Sequence, residues 1–355
     1  MDRLSLTEQY ARHVKRKLLV GGGLVVLIAG AVALSLRTGA YPLGLGDIAA
    51  AVVGRADGAT AHVFWNIRMP QALAALLAGG CLGLAGTAMQ NVLRNPLASP
   101  FTLGISQGAV FGAVFAITVL GVGTAAAADA GPVATWHPHV IVLCALGGSL
   151  LTVTALVALS SLRDLSPAAL ILAGVAISAF FASATMLLQY FASDIEIASA
   201  VYWTFGDLRK AQWPQLALIA GALVPAALYF LWNGWRFNAM VWGDDTARGL
   251  GIPVNAVRLV SLVLAAFVAA VTTAFMGIIG FVGLVAPHVV KMVIGQDHRF
   301  LFPYAALTAG LLLLVADVLA RTVMAPVLLP VGIVTSFTGA PLFLYLLVKH
   351  RDIRS

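Results

Sequence analysis

An all-α integral membrane protein of about ten transmembrane helices is the fold this sequence predicts, and three observations carry that reading. Hydrophobic residues make up 61% of the 355 positions, charged residues only 10%, and the mean hydropathy is +0.96. A soluble body of this size needs far more charge on its surface, so lipid is the solvent for most of the chain. The apolar residues also fall into runs of about 20, the length a helix needs to cross the hydrocarbon core. Finally, the Lys and Arg residues stand at the ends of those runs, mostly on one side.

By that ruler the spans run over 18–36, 69–89, 103–122, 139–161, 167–192, 213–233, 256–275, 277–294, 302–322 and 331–348. Arg12, Lys15, Arg16 and Lys17 precede the first run, which is long for a signal peptide and has no small-x-small cleavage site, so it reads as an uncleaved span. The eighth span begins almost at once after the seventh, through Gly277 and Gly280. Gly121–Gly131 reads either as an extension of the third span or as a loop. An even number of spans puts both termini on one side. With the N-terminus inside, only Arg37, Arg55, Arg68, Arg209, Lys210 and Arg321 of the 21 Lys and Arg fall outside, which favours N-in, C-in. The expected organisation is a cytoplasmic segment 1–17, one membrane domain 18–348 and a cytoplasmic tail 349–355.

The net charge of +7 follows the span ends and forms no cluster, so nucleic acid is not indicated as a partner. Cys81 and Cys144 lie in apolar runs, which argues against a disulfide framework or a metal site. His288, beside Pro287 in an apolar run, has no second ligand at metal spacing. No set of His, Cys and carboxylates clusters as an enzyme would require. Asp317 and Arg321 are four residues apart within a span, so they share a helix face and can pair. Such a pair is either structural or, in an ion-coupled transporter, part of a relay. Gly79, Gly80, Gly83 and Gly86 in the second span allow close helix contact, or a smooth wall for a bulky cargo. Arg94-Asn95-Pro96 ends that helix. Trp203, Phe205 and Gly206 precede the sixth span, where aromatic side chains anchor to headgroups.

The longest charged interruption of the second half is Trp235–Val254, WRFNAMVWGDDTARGLGIPV, which the charge bias places inside. It is either a plain loop or the place where a soluble partner takes hold. Asp244 or Asp245 can cap a short helix there, and Gly251 suits its stop before Pro253.

Several segments together resemble a known family. RNPLASP with LGISQGA (from Arg94), GFVGLVAPH (from Gly280) and PVGIVTSFTGAP (from Pro330) stand in an order similar to that of the FecCD-type permeases, which import iron chelates and vitamin B12. The similarity runs from about Trp65 to Val348. It implies a type II importer architecture with ten helices per subunit and a homodimer around a central path. It also implies two cytoplasmic ABC ATPases that hold ATP and Mg, and a periplasmic or surface-tethered substrate-binding protein. Consistent with that division, no GxxxxGK[ST] phosphate loop occurs in this chain, so no cofactor is expected on it.

By the same resemblance, Gly243, Asp244, Asp245, Thr246, Ala247, Arg248, Leu250 and Gly251 match the segment that seats in the ATPase, with Asp244 standing where the family usually has Glu. Arg68 and Arg321 match positions that dock the binding protein, and Arg209 and Lys210 are further outer cations for that role. Gln71 stands where an Arg is often found. Gly83, Gly86, Asn95, Pro96, Pro287 and His288 fall in the family's packing and pathway motifs. The expected function is therefore an importer permease of the inner membrane that carries a ferric siderophore or haem and performs no chemistry itself. A cobalamin permease, or an ion-coupled transporter using Asp317, is the alternative.

Overall fold

The computed structural model describes residues 6–122, 138–162 and 167–351. Fifteen α-helices follow one another in that part of the chain: α1 Leu6–Arg37, α2 Leu45–Val52, α3 Gly58–His62, α4 Met69–Val92, α5 Ile105–Thr118, α6 Pro138–Leu162, α7 Pro167–Tyr190, α8 Asp194–Thr204, α9 Trp213–Trp232, α10 Gly234–Met240, α11 Asp244–Gly249, α12 Val254–Met276, α13 Val282–Ile294, α14 His298–Thr322 and α15 Val331–Arg351. Among the described residues there is no strand, only one isolated bridge between Phe205 and Ile278.

Seven helical stretches are long and apolar enough to cross a membrane, against the ten expected. The regions expected as the third, eighth and tenth spans hold shorter apolar helices, Ile105–Thr118, Val282–Ile294 and Val331–Tyr345. At 1.5 Å per residue a helix of 13 or 14 residues covers about 20 Å, short of the roughly 30 Å hydrocarbon core. Hydropathy missed this because the irregular backbone leading into α5 and α13 is itself apolar. Phe281 at the N-cap of α13 has a left-handed backbone, φ 64°, and Gly277 at the end of α12 has φ 78°. Polar backbone inside a membrane protein must find partners within the protein. Here Asp207 N donates to Met276 O, Ile278 N to Thr204 O and Gly332 N to Gly206 O, so three irregular segments satisfy one another.

Other expected boundaries also moved. The N-terminal helix begins at Leu6, well before residue 18. The second span continues back through a π-helical stretch, Val63–Arg68, to Gly58, where the Asp57 side chain accepts from Thr60 N. The π stretch lies just ahead of Pro70, whose ring would crowd the carbonyl one turn back in a regular helix. Most of Gly121–Gly131 lies outside the described residues, as do Arg3, Arg163 and Arg354.

The hub is α4. In the span that ends with it, 83% of the apolar window is buried, against 17% for α1. Its Gly and Ala residues let backbones touch on every side. An added Cβ at Gly79 would lie 2.5 Å from Gly310 Cα, at Gly83 2.5 Å from Ala305 O, and at Gly86 1.6 Å from Gly283 O. The first two contacts show α4 and α14 running antiparallel in close register, and the third seats α13 on α4. In a bilayer, van der Waals contact of this kind drives association because lipid tails are as apolar as the helices.

Candidate functional site

The segment between α9 and α12 folds as two short helices, α10 and α11. The turn that closes α11 is fixed by its sequence. Gly251 N donates to Arg248 O and Ile252 N to Ala247 O, the paired bonds of a Schellman stop, with Gly251 at φ 78° and Ala247 and Ile252 buried against each other's turn. The expected aspartate cap is not formed. Gly243, φ 115°, holds the N-cap position without a side-chain bond, and both Asp244 and Asp245 lie in the first turn.

The two aspartates point in different directions. Asp245 is fully exposed and pairs with Arg248 at 3.3 Å. Asp244 turns inward: Arg94 Nη2 donates to it at 2.5 Å, and Arg258 Nη2 donates to both its oxygens at 3.1 and 2.9 Å. Burial pushes the Asp244 carboxyl up, but the Arg258 hydrogen bond and the charges of Arg258, Arg94 and Arg248 outweigh it and hold it below the ordinary carboxylate value. Arg258 also donates from Nε to Val92 O, the last carbonyl of α4. Asp244 therefore joins α11 to α12 and to the end of α4. The outer face of this region is left to Trp242, Asp245, Arg248 and Leu250, all exposed.

Arg94 sits in an uncommon place. Its φ of 47° is the left-handed conformation that ends α4, with Arg94 N bonded to Asn91 O and Asn95 N to Gln90 O. Glycine normally holds that position. The Asn95 side chain then accepts from Leu97 N, and the exposed Pro96 keeps the chain from resuming the helix.

A second clamp holds α10. Asn238 donates to Asp297, accepts from His298 N and contacts His298 Nδ1, while Asn91 of α4 meets His298 Nε2 at 2.9 Å. Asp297 also pairs with Lys17 of α1 and with Arg299. Burial pushes the Asp297 carboxyl up, but hydrogen bonds from Arg299, Asn238 and Lys17 hold it well below the ordinary value. A depressed carboxylate stabilises the fold above its unfolded pKa of about 3.9 and loses that contribution as pH falls toward the folded value. The difference in melting temperature between the native chain and Asp297→Asn should accordingly be largest near neutral pH and shrink below about pH 4.

The opposite end of α4 carries the intramembrane charges. Asp317 accepts from Arg321 Nη2 at 2.6 Å and from Gln71 Nε2 at 2.7 Å, and all three residues are buried. Arg321 further donates to Ser35 O, Ser35 Oγ and Thr38 O, and Arg68 donates to the same Thr38 carbonyl. The two arginines expected to meet a binding protein are thus buried at 7% and 6% exposure and turned to the chain itself. They pin the end of α1. Arg209 differs: it is exposed, and its pKa is raised by its hydrogen bond to Asp207. Lys210 donates to Trp203 O and Phe205 O, and burial pulls its pKa down to about 8. From Gln71 to Asn91, both bonded to α14, the helix rise is about 30 Å, so the polar clamps stand one hydrocarbon thickness apart.

Gly83 and Gly86 are contact points of α4 with α14 and α13. Pro287 and His288 are buried in α13, with the His288 ring 6.2 Å from that of Phe343. Among the described residues no three His, Cys, Asp or Glu side chains gather as a metal site would need. Sequence reasoning missed Arg258, Asn238, Asp297, His298 and Gln71 as network members. Only Asp297 beside Arg299 carried a local signal.

The comparisons with known proteins agree on one family. The sequence model of the FecCD transport family matches residues 26–349. A protein of Methanocaldococcus jannaschii named as an ABC transporter permease is 44% identical over 98% of this chain and 99% of its own. The hemin transport system permease HmuU of Yersinia pestis is 36% identical over 97% and 99%. The vitamin B12 import system permease BtuC of Citrobacter koseri is 36% identical over 92% and 93%. Among solved structures, a metal-chelate-type ABC transporter in an inward-facing conformation superimposes with a TM-score of 0.80 at 28% identity, covering 92% of this chain and 98% of that one. With helices of spanning length, shared backbone architecture and full-length relatives all in agreement, this chain is a multi-pass membrane protein that belongs to the FecCD transport family.

Proposed function

We propose that this chain is the membrane permease of an ATP-driven importer that carries a metal-bearing organic chelate across the inner membrane. The cargo is a ferric siderophore or haem. Cobalamin stands level as a second reading, because the haem and vitamin B12 permeases are equally similar to this chain. Two copies form the pathway between them, each with ten membrane-inserted helices and both termini inside. The segments 1–17 and 349–355 lie in the cytoplasm, flanking the membrane domain 18–348. Two cytoplasmic ABC ATPases hold ATP and Mg and seat on segment 235–254, and an external binding protein delivers cargo to the other face, where Arg209 and Lys210 lie.

The observation that carries this reading is α11, a short helix anchored from behind by Asp244, with Asp245 and Arg248 exposed on it and Trp242 and Leu250 exposed beside its two ends. The excess of Lys and Arg on the same side as this segment supports the orientation. Asp317 is spent on Arg321 and Gln71, which favours a structural ion pair over an ion relay. Cargo is tested on the binding protein that works with this permease, by titration with a ferric siderophore, haem and cobalamin. Tight binding of one of the iron chelates is expected. Selective cobalamin binding would move the assignment to the second reading, and binding of none would defeat the chelate class.

A further inference from the structure

We infer that Asp244 is a positioning residue that ties the movement of α11 to α4 and α12, and that it makes no contact with the ATPase. The inference rests on the permease reading above and deepens it. Three observations carry it. The Asp244 side chain is 23% exposed, whereas that of Asp245, its neighbour on the same helix, is fully exposed. Both Asp244 oxygens are taken by arginines from other elements, Arg94 from the turn after α4 and Arg258 from the first turns of α12. Arg258 in turn holds Val92 O, so one guanidinium bridges α11 to the last carbonyl of α4.

The backbone of Arg94 adds an independent argument. A non-glycine residue in the left-handed position carries strain, and here its side chain reaches Asp244 across 150 positions of sequence. Without the triad, α11 is held by the buried Ala247 and by its chain neighbours, and a shift of α11 can be absorbed by Gly243 and Gly251, which flank it in positive-φ conformations. With the triad, the same shift pulls on the end of α4, the most buried element of the fold. The outer face of α11 holds the partner, and Asp244 passes the displacement inward.

The test uses the full importer, reconstituted with its ATPases and binding protein. Asp244→Asn, Asp244→Glu and Arg94→Gln are compared with Asp245→Ala. The variants are scored for ATPase co-purification, ATP hydrolysis and chelate uptake. Asp244→Asn and Arg94→Gln should keep the ATPase subunits bound, yet lose at least about tenfold in chelate moved per ATP hydrolysed. Asp244→Glu, which keeps the charge, should recover most of that loss. Loss of the ATPase from Asp244→Asn would make Asp244 a docking contact and overturn the inference, and so would unchanged transport per ATP. Should Asp244→Asn fail to give a monodisperse protein, Arg94→Gln decides by the same criteria, since Arg94 lies exposed in a turn. Absence of ATP-driven uptake with the native chain would instead overturn the permease reading itself.

Discussion

Replacing Gly86 by valine is expected to abolish the folded protein, whereas Gly221→Ala leaves it intact. The first Cβ atom at position 86 would lie 1.6 Å from the carbonyl oxygen of Gly283, and that atom is backbone, which no rotamer change can move. Relief requires α4 and α13 to separate, and α13 is held again at Gly283, where an added Cβ would lie 2.7 Å from Leu82 O. Over-packing of a core usually costs about 1–3 kcal/mol. A backbone clash in the middle of a helix pair buried on both sides lies at or above the top of that range, and lipid offers no compensating hydrophobic gain. Gly221 has nothing within 4 Å of its added Cβ, so alanine there tests the general effect of a methyl in a membrane helix. Yield of monodisperse protein and its melting temperature in detergent read both variants. Equal stability of the two would show that α4 and α13 do not approach as described.

The second large effect falls on the buried ion pair. Arg321→Met should destabilise the chain by about 3–5 kcal/mol, the usual consequence of leaving one member of a buried pair uncompensated. The damage extends beyond Asp317, because Ser35 loses its donor and the end of α1 is left with only the Arg68 bond to Thr38 O among those described. Replacing both charges, Asp317→Leu with Arg321→Met, should recover part of the loss, since a well-packed apolar pair often equals a buried ionic one. Double-mutant-cycle melting measurements separate the pair energy from the contacts with α1. If the double variant also transports chelate, Asp317 is excluded as an ion-coupling group. Additive losses in the two single variants would mean that the carboxylate and the guanidinium act independently.

What the sequence revealed, and what it hid, follows from the range of each interaction. Apolar runs locate the membrane helices because hydropathy is a local property. It did not reveal that α5 and α13 are short, because the backbone that replaces their missing turns, such as Gly277–Phe281, is as apolar as a helix. The Asp317–Arg321 pair was legible through its four-residue spacing, but Gln71, its other partner, lies 246 positions away. Gln71 supplies an amide donor to the same carboxylate that Arg321 already neutralises. Arg68 and Arg321 read as outer cations because their burial comes from Ser35, Thr38 and Gly39, which no local pattern connects to them. In the opening between α9 and α12, the stop at Gly251 was legible and the aspartate cap was wrong. The strongest partners of Asp244 are Arg94, 150 positions away, and Arg258, 14 positions away, and they outcompete the orphan amides of a six-residue helix.

The proposed importer moves a chelate inward only when an ATPase drives it from α11. Purified chain is reconstituted in liposomes with its cognate ATPases and its binding protein, and uptake of a ferric chelate, haem or cobalamin is followed with ATP, without ATP, and with an imposed proton or sodium gradient. Accumulation that requires both the ATPases and ATP, and that disappears when Leu250→Asp removes the exposed apolar contact of α11, is the predicted result. Accumulation driven by the ion gradient in liposomes that hold this chain alone would contradict it.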